Sequence, residues 1–211
     1  MSHSSVSIRQ ARASDLQRLG PVERSAASVF RSAGLDWLAD GDTMDPAVLA
    51  DLCRNATLWI AAERTVRKSG SGFPLERCAS LRREHRIQSQ KWIPLLGPML
   101  QRDEPVGFLA AHEMDGHFYI AEVSVAQSHQ RRGLGARLIG AAVAHAKRSG
   151  FSTVTLTTYR DLAWNGPFYA SLGFVEIEPG ETWPGHAAKL RAEAEAGHDP
   201  ARRCVMALRL D

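Results

Sequence analysis

Cysteine is scarce in this chain of 211 residues: Cys53, Cys78 and Cys204, an odd number with no two at CxxC spacing. That pattern suggests neither a disulfide framework nor a zinc site, and reduced thiols in a cytosolic compartment are the simplest reading. Long apolar runs are missing as well. None approaches the ~18 residues of a membrane span, and Met1 to Arg12 is polar, without the apolar centre of a secretory signal. The expectation is a cytoplasmic protein with no membrane partner. Charge of one sign is not in excess either: 26 Lys and Arg against 23 Asp and Glu leave a formal +3. So small a balance does not by itself imply nucleic-acid binding. No repeat of the solenoid kind is present. What remains is an ordinary globular composition, 44% hydrophobic and 23% charged. The length suits a single domain that buries a core without staples.

Along the chain, Val6–Arg9 alternates as a short strand does. Ser14 and Asp15 offer a cap to a helical stretch reaching about Ser32, which Pro21 kinks or splits. Asp45-Pro46 opens a second short helix through about Asn55, and 57–62 reads as a strand. Residues 66–103 keep neither period, and we expect an irregular insertion between two strands, with a surface helix at 82–90 as its one candidate element. Strands follow at 106–112 and 118–125, joined by the hairpin dipeptide Asp115-Gly116. An alanine-rich helix then runs to about Arg148 and closes at Gly150. A strand at 154–158, a short helix at 167–172 ended by Gly173, and strands at 174–177 and 204–210 complete the order.

The sharpest local feature is strand, then Gln130-Arg131-Arg132-Gly133-Leu134-Gly135, then helix. Glycines at 133 and 135 let a ligand approach the backbone, and free N–H groups at a helix N-terminus suit a pyrophosphate. The same pair of glycines also serves close packing of the helix on the sheet, and spacing alone leaves both readings open. It is neither a Walker loop nor a dinucleotide fingerprint, because the Gly-Lys-Ser/Thr and the third glycine are absent.

Val123-Ser124-Val125, this loop, and Tyr169-Ala170-Ser171-Leu172-Gly173-Phe174 downstream together resemble the GCN5-related N-acetyltransferase (GNAT) superfamily. The resemblance spans roughly residues 6 to 210 in element order, with 66–103 excluded. It implies an α/β fold of the α+β type: a mixed, mostly antiparallel sheet, flanked by helices and splayed open between the strand ending at Val125 and the next. It implies acetyl-CoA as cosubstrate, with Val123, Ser124 and Val125 beside the pantetheine arm and Gln130, Arg131, Arg132, Gly133, Leu134, Gly135 and Ala136 around the pyrophosphate. Asn165 is a further pantetheine ligand on this analogy, although many members carry the asparagine where this chain has Leu162, and Gln127 stands where a proline is common.

The implied activity is acetyl transfer to a primary amine of a small molecule or peptide. Tyr169 is then the proton donor to the departing thiolate; otherwise it is a core aromatic. Glu122 shares a strand face with Ser124 and either takes the amine's proton, directly or through water, or is a solvated strand residue. His112, His117 and Tyr119 are weaker alternatives. Phe30, Asp36, Trp37 and Asp40, in a stretch that also holds Glu23, Asp42 and Asp45, are the candidate substrate residues, with an ordinary acidic loop as the other reading. Trp183 is placed as a wall of the same site. No side-chain cluster has metal-ligand spacing, so no metal is expected. A catalytically silent acyl-CoA sensor is the alternative function. The basic insertion lacks the interleaved aromatics of a nucleic-acid surface. A monomer or a homodimer is expected.

Overall fold

The computed structural model describes residues 5–65 and 102–211. The expected insertion at 66–103, with its helix at 82–90, lies outside the described residues except for its last two positions, which belong to a strand. Seven strands form one sheet in the order β1-β2-β3-β4-β5-β7-β6: β1 (Ser5–Gln10), β2 (Leu58–Thr65), β3 (Arg102–Met114), β4 (His117–Val125), β5 (Thr153–Tyr159), β6 (Val175–Ile177) and β7 (Arg203–Arg209). All neighbours are antiparallel except β4 and β5, which run parallel. The sheet is therefore mixed and mostly antiparallel.

Two helical layers cover it. On one face lies α4 (Leu134–Arg148), whose Leu134, Leu138, Ile139, Ala142 and Ala146 pack on Trp59, Leu109, Phe118, Ile120 and Val154. On the other face, α1 (Leu19–Ala27) and α3 (Pro46–Arg54) set Leu19, Val22, Leu49 and Leu52 on Leu58, Ile60, Phe108 and Ala110. Burial of these stripes, roughly 1.5–3 kcal/mol for each large side chain, holds the layers in place. Asp45 caps α3 by accepting from the Ala47 N–H at 2.7 Å, with Pro46 as the first helical residue.

The first helix departs from expectation. The stretch expected to reach about Ser32 is broken into a 3₁₀ turn (Ala13–Arg18), α1 and a second 3₁₀ turn (Ser28–Ala33), and a separate short helix, α2 (Asp36–Ala39), follows. Pro21 falls in the first turn of α1, where a missing N–H costs no intrahelical bond. Asp15 does not cap from outside: it reaches back to the Arg12 N–H at 2.7 Å while the Arg9 guanidinium donates to both its oxygens.

A second departure is α6 (Pro184–Glu195), absent from the sequence reading. Only His186 and Glu193 of this helix are buried, so it shows no apolar stripe. The signals were Pro184 at its first position and a run of strong helix formers up to Gly197. What docks it is polar. Asp115, in the β3–β4 turn, accepts from the Gly185 and His186 N–H groups at 3.0 and 3.1 Å and lies 2.8 Å from His186 Nδ1. His186 Nε2 meets Thr155 Oγ1 at 2.8 Å beneath it.

Asp115→Ala removes that cap and the partner of a fully buried imidazole. It should cost about 2–3 kcal/mol, read as a lower urea midpoint at unchanged slope.

Candidate active site

The site begins where β4 and β5 part. They pair only from Phe118–Ile120 with Val154–Leu156, while β5 goes on pairing with β7 as far as Tyr159. Beyond Ile120 the edge of β4 that faces β5 has, among the described residues, no strand beside it. A cleft of about 990 Å³ opens there, of a size that holds a cofactor-sized ligand.

A β-bulge decides what faces this cleft. Ala110 pairs with Glu122 but Ala111 pairs with Ile120, so Ala121 is an extra residue in β4. Phe118 and Ile120 pack under α4, and after the bulge Val123 and Val125 do so too. Glu122 and Ser124 therefore emerge on the other face, opposite Ala110 and Phe108, together with Tyr119. Ser124 Oγ donates to Glu122 Oε1 at 2.6 Å. Burial raises the Glu122 carboxyl above the usual carboxylate range, against the lowering effect of the Ser124 bond.

Across the cleft, α1 brings Glu23. Both its oxygens accept from the Met44 N–H, at 3.0 and 3.2 Å. Burial, with the charge of Glu122 adding to it, pushes its pKa up to about 7. Sequence reasoning had Glu23 only as one of several acids in a loop. Nothing along the chain marks it, because its partner lies 99 positions away.

The loop after β4 turns back sharply. Arg131 adopts φ 60° and Gly133, the cap residue of α4, φ 74°. At Gly133 the left-handed backbone, rather than crowding, is what requires glycine, since a Cβ there would meet nothing within 4 Å among the described residues. Gln130 does not reach outward: its amide donates to Val125 O at 3.0 Å and ties the loop to the strand end. Arg137 N–H is bonded to Gly133 O, which leaves the amides of Leu134, Gly135 and Ala136 at the open helix end with no intrahelical acceptor. Arg131 lines the cleft beside them; Arg132 is exposed and outside its wall.

The opposite lip is α5 (Gly166–Ser171). Gly166 sits so close to Arg160 that a Cβ would fall 2.5 Å from its carbonyl oxygen. That close approach folds the β5–α5 turn tightly and turns Tyr169 into the cleft, where it is buried. Among the described residues nothing hydrogen-bonds its hydroxyl, and burial, with the nearby Glu122 charge, raises its pKa far above the ordinary phenol. Asn165 Oδ1 and Trp164 Nε1 line the same lip, buried and without partners among the described residues. Unpaired polar atoms of this kind fit a ligand that carries amides.

Of the candidate substrate residues, only Phe30 reaches the wall, packed on Tyr159 and Trp164 at 6.1 and 6.2 Å. Asp36, Trp37 and Asp40 do not. Both aspartates are exposed and paired with Arg31, and Trp37 meets the His198 ring edge-to-face outside the cleft wall. That stretch is short and solvent-facing, so its charge is spent on a neighbouring arginine. Trp183 packs on His117 at the start of α6, and neither it nor His112 borders the cleft. Among the described residues no three His, Cys, Asp or Glu side chains converge as metal ligands do, and no helix is long and apolar enough to cross a membrane.

The model of the acetyltransferase (GNAT) family matches residues 59–174, more than half of the chain. The chain belongs to that family. Its fold is similar to that of the PaiA N-acetyltransferase from Thermoplasma acidophilum in complex with coenzyme A, with a TM-score of 0.59 at 13% identity over 98% of this chain and 99% of that one. It is similar also to N-acetylglutamate synthase from Neisseria gonorrhoeae complexed with coenzyme A and N-acetyl-glutamate, with a TM-score of 0.58 at 15% identity over 100% of this chain and 36% of that one. A third is the ribosomal-protein-S18-alanine N-acetyltransferase from Escherichia coli, with a TM-score of 0.55 at 15% identity over 98% of this chain and 95% of that one. At these identities the likeness is one of fold. The chain is thus a GNAT enzyme, an acetyl-CoA-dependent N-acetyltransferase, and its splayed sheet is the GNAT arrangement.

Because the folded-state pKa of Glu23 stands above its unfolded value of 4.5, the folded state favours the protonated acid. Stability is full below pH 4.5 and is lost as the pH rises through about 7. Glu23→Gln should therefore melt higher than wild type at pH 8, by a few degrees, with the gap closing by pH 4.5; equal melting at pH 8 contradicts the assignment.

Proposed function

We propose that this GNAT enzyme acetylates a primary amine by direct attack on the thioester, with Glu122 and Glu23 receiving the amine's proton and Tyr169 protonating the departing thiolate. The observation that carries this reading is the convergence of three groups, from α1, β4 and α5, on the point where β4 and β5 separate. Acetyl-CoA supplies the activated acetyl group, so that a C–N bond forms as the C–S bond breaks.

Each residue has a distinct part. The unpaired amides of Leu134, Gly135 and Ala136, with Arg131, suit the pyrophosphate. Gln130 positions that loop through Val125. The free edge of β4 at Val123 to Val125 accepts an extended pantetheine as a sheet accepts a strand, and Asn165 Oδ1 is an acceptor for one of its amide N–H groups. Ser124 orients Glu122 through their 2.6 Å bond. Burial raises both carboxyl groups and the charge of Glu122 raises Glu23 further, so that an ionised carboxylate in this cavity readily takes a proton from an ammonium. A phenol with a raised pKa stays protonated and keeps its proton for a thiolate.

Thiol release with acetyl-CoA over an amine panel tests the whole reading. Binding of coenzyme A without release for every amine would make the chain a sensor instead. Tyr169→Phe should lower kcat by ~10²-fold with coenzyme A affinity little changed. In wild type, kcat/KM should rise through an inflection near pH 7. Glu122→Gln should cost ~10²-fold and move that inflection to lower pH, since Glu23 then loses a repelling neighbour. Arg131→Glu should weaken coenzyme A binding by about tenfold in calorimetry, less so at high salt.

A further inference from the structure

The wall of the cleft opposite Glu23 carries a second set of charges, brought there by α6 and β7. Glu193 and Arg203 form a buried ion pair: Arg203 Nε donates to Glu193 Oε2 at 2.9 Å, and its Nη2, 2.9 Å from the same oxygen, donates to Thr157 Oγ1 at 3.3 Å. Thr157 Oγ1 donates its only proton to Glu193 Oε1 at 2.9 Å. The Tyr119 hydroxyl, 2.9 Å from Thr157 Oγ1, must therefore be the donor in that pair. Each oxygen of Glu193 thus accepts a hydrogen bond, and its charge is offset by Arg203.

Lys189, one turn earlier on α6, is left over. Its ammonium lies 3.9 Å from Glu193 Oε1, a long contact to an oxygen already bonded, and its side chain is 45% exposed along the cleft. Its field reaches across to Glu122, whose carboxyl it lowers. One wall thus bears the carboxyl groups of Glu23 and Glu122, and the other bears an ammonium left over beside the Glu193–Arg203 pair.

We infer that the acceptor is a zwitterion, an amino acid whose carboxylate is held by Lys189 while its amine lies between Glu122 and Tyr169. This rests on the acetyl-transfer reading and narrows it. A polyamine or a simple alkylamine has a partner in the carboxyl groups of Glu23 and Glu122 but brings no anion to Lys189. An α-amino acid places opposite charges a few bonds apart, in the sense the walls require. The aromatic rings of Phe30, Tyr159 and Trp164 beside them leave an apolar surface for a side chain.

The test uses the full chain, saturating acetyl-CoA and matched pairs of L-amino acids and their carboxamides, read by thiol release. The ratio of kcat/KM for acid over amide should fall about tenfold in Lys189→Met and further in Lys189→Glu, while Lys189→Arg retains it. Comparing ratios between variants cancels the different basicity of the two amines. A ratio that Lys189→Met leaves unchanged overturns the inference, as does a best acceptor with no anionic group. Release that ignores the carboxylate removes this inference alone. No release with any amine removes the acetyl-transfer reading, and this one with it.

Discussion

Three rungs of parallel pairing between β4 and β5, followed by none, are the constraint on which the rest of the molecule depends. Had the pairing continued, the β4 edge would be satisfied and the cleft closed. Because it stops at Ile120, β4 keeps its partner β3 on one side and offers bare backbone on the other. The strand stays rigid nonetheless, since β3 pairs with it along its length and α4 covers its apolar side. A ligand met there would find an edge already ordered, so less conformational entropy is lost on binding.

One extra residue, Ala121, decides which side chains that edge presents to the cleft. Without the bulge, Glu122 would follow Ile120 under α4, where a carboxylate has no partner. With it, the acid leaves the hydrophobic layer and faces Glu23, Tyr169 and the α6 wall. The surroundings are dry enough to raise the acids and the phenol alike, yet each acid keeps a bond that orients it: Ser124 for Glu122 and the Met44 amide for Glu23. Burial and mutual repulsion, rather than any unusual residue, set the protonation states.

The α6 layer shows a different economy. Its docking is built from Asp115, His186, Thr155, Glu193 and Arg203, with little apolar area, and the polar groups are mutually satisfied. A polar seam of this kind specifies one placement, because sliding the helix by a turn would strand buried charges.

Much of this was legible along the chain, and for a reason. Strand alternation, the Asp115-Gly116 turn, the alanine-rich helix and the loop from Gln130 to Gly135 are local patterns, and local patterns follow from backbone propensity and side-chain period. They were enough for most of the element order and for the resemblance to the family, which in turn implied the splayed mixed sheet. The broken first helix was half visible in Pro21; α6 was not, since a helix held by hydrogen bonds has no apolar period to read. Glu23, the bulge at Ala121, the outward turn of Asp36 and Asp40 onto Arg31, and the spare charge of Lys189 belong to the tertiary structure alone. Each depends on which distant residue stands opposite, and in a cleft of low dielectric that partner, more than the residue type, determines whether a charge is spent, shared or free.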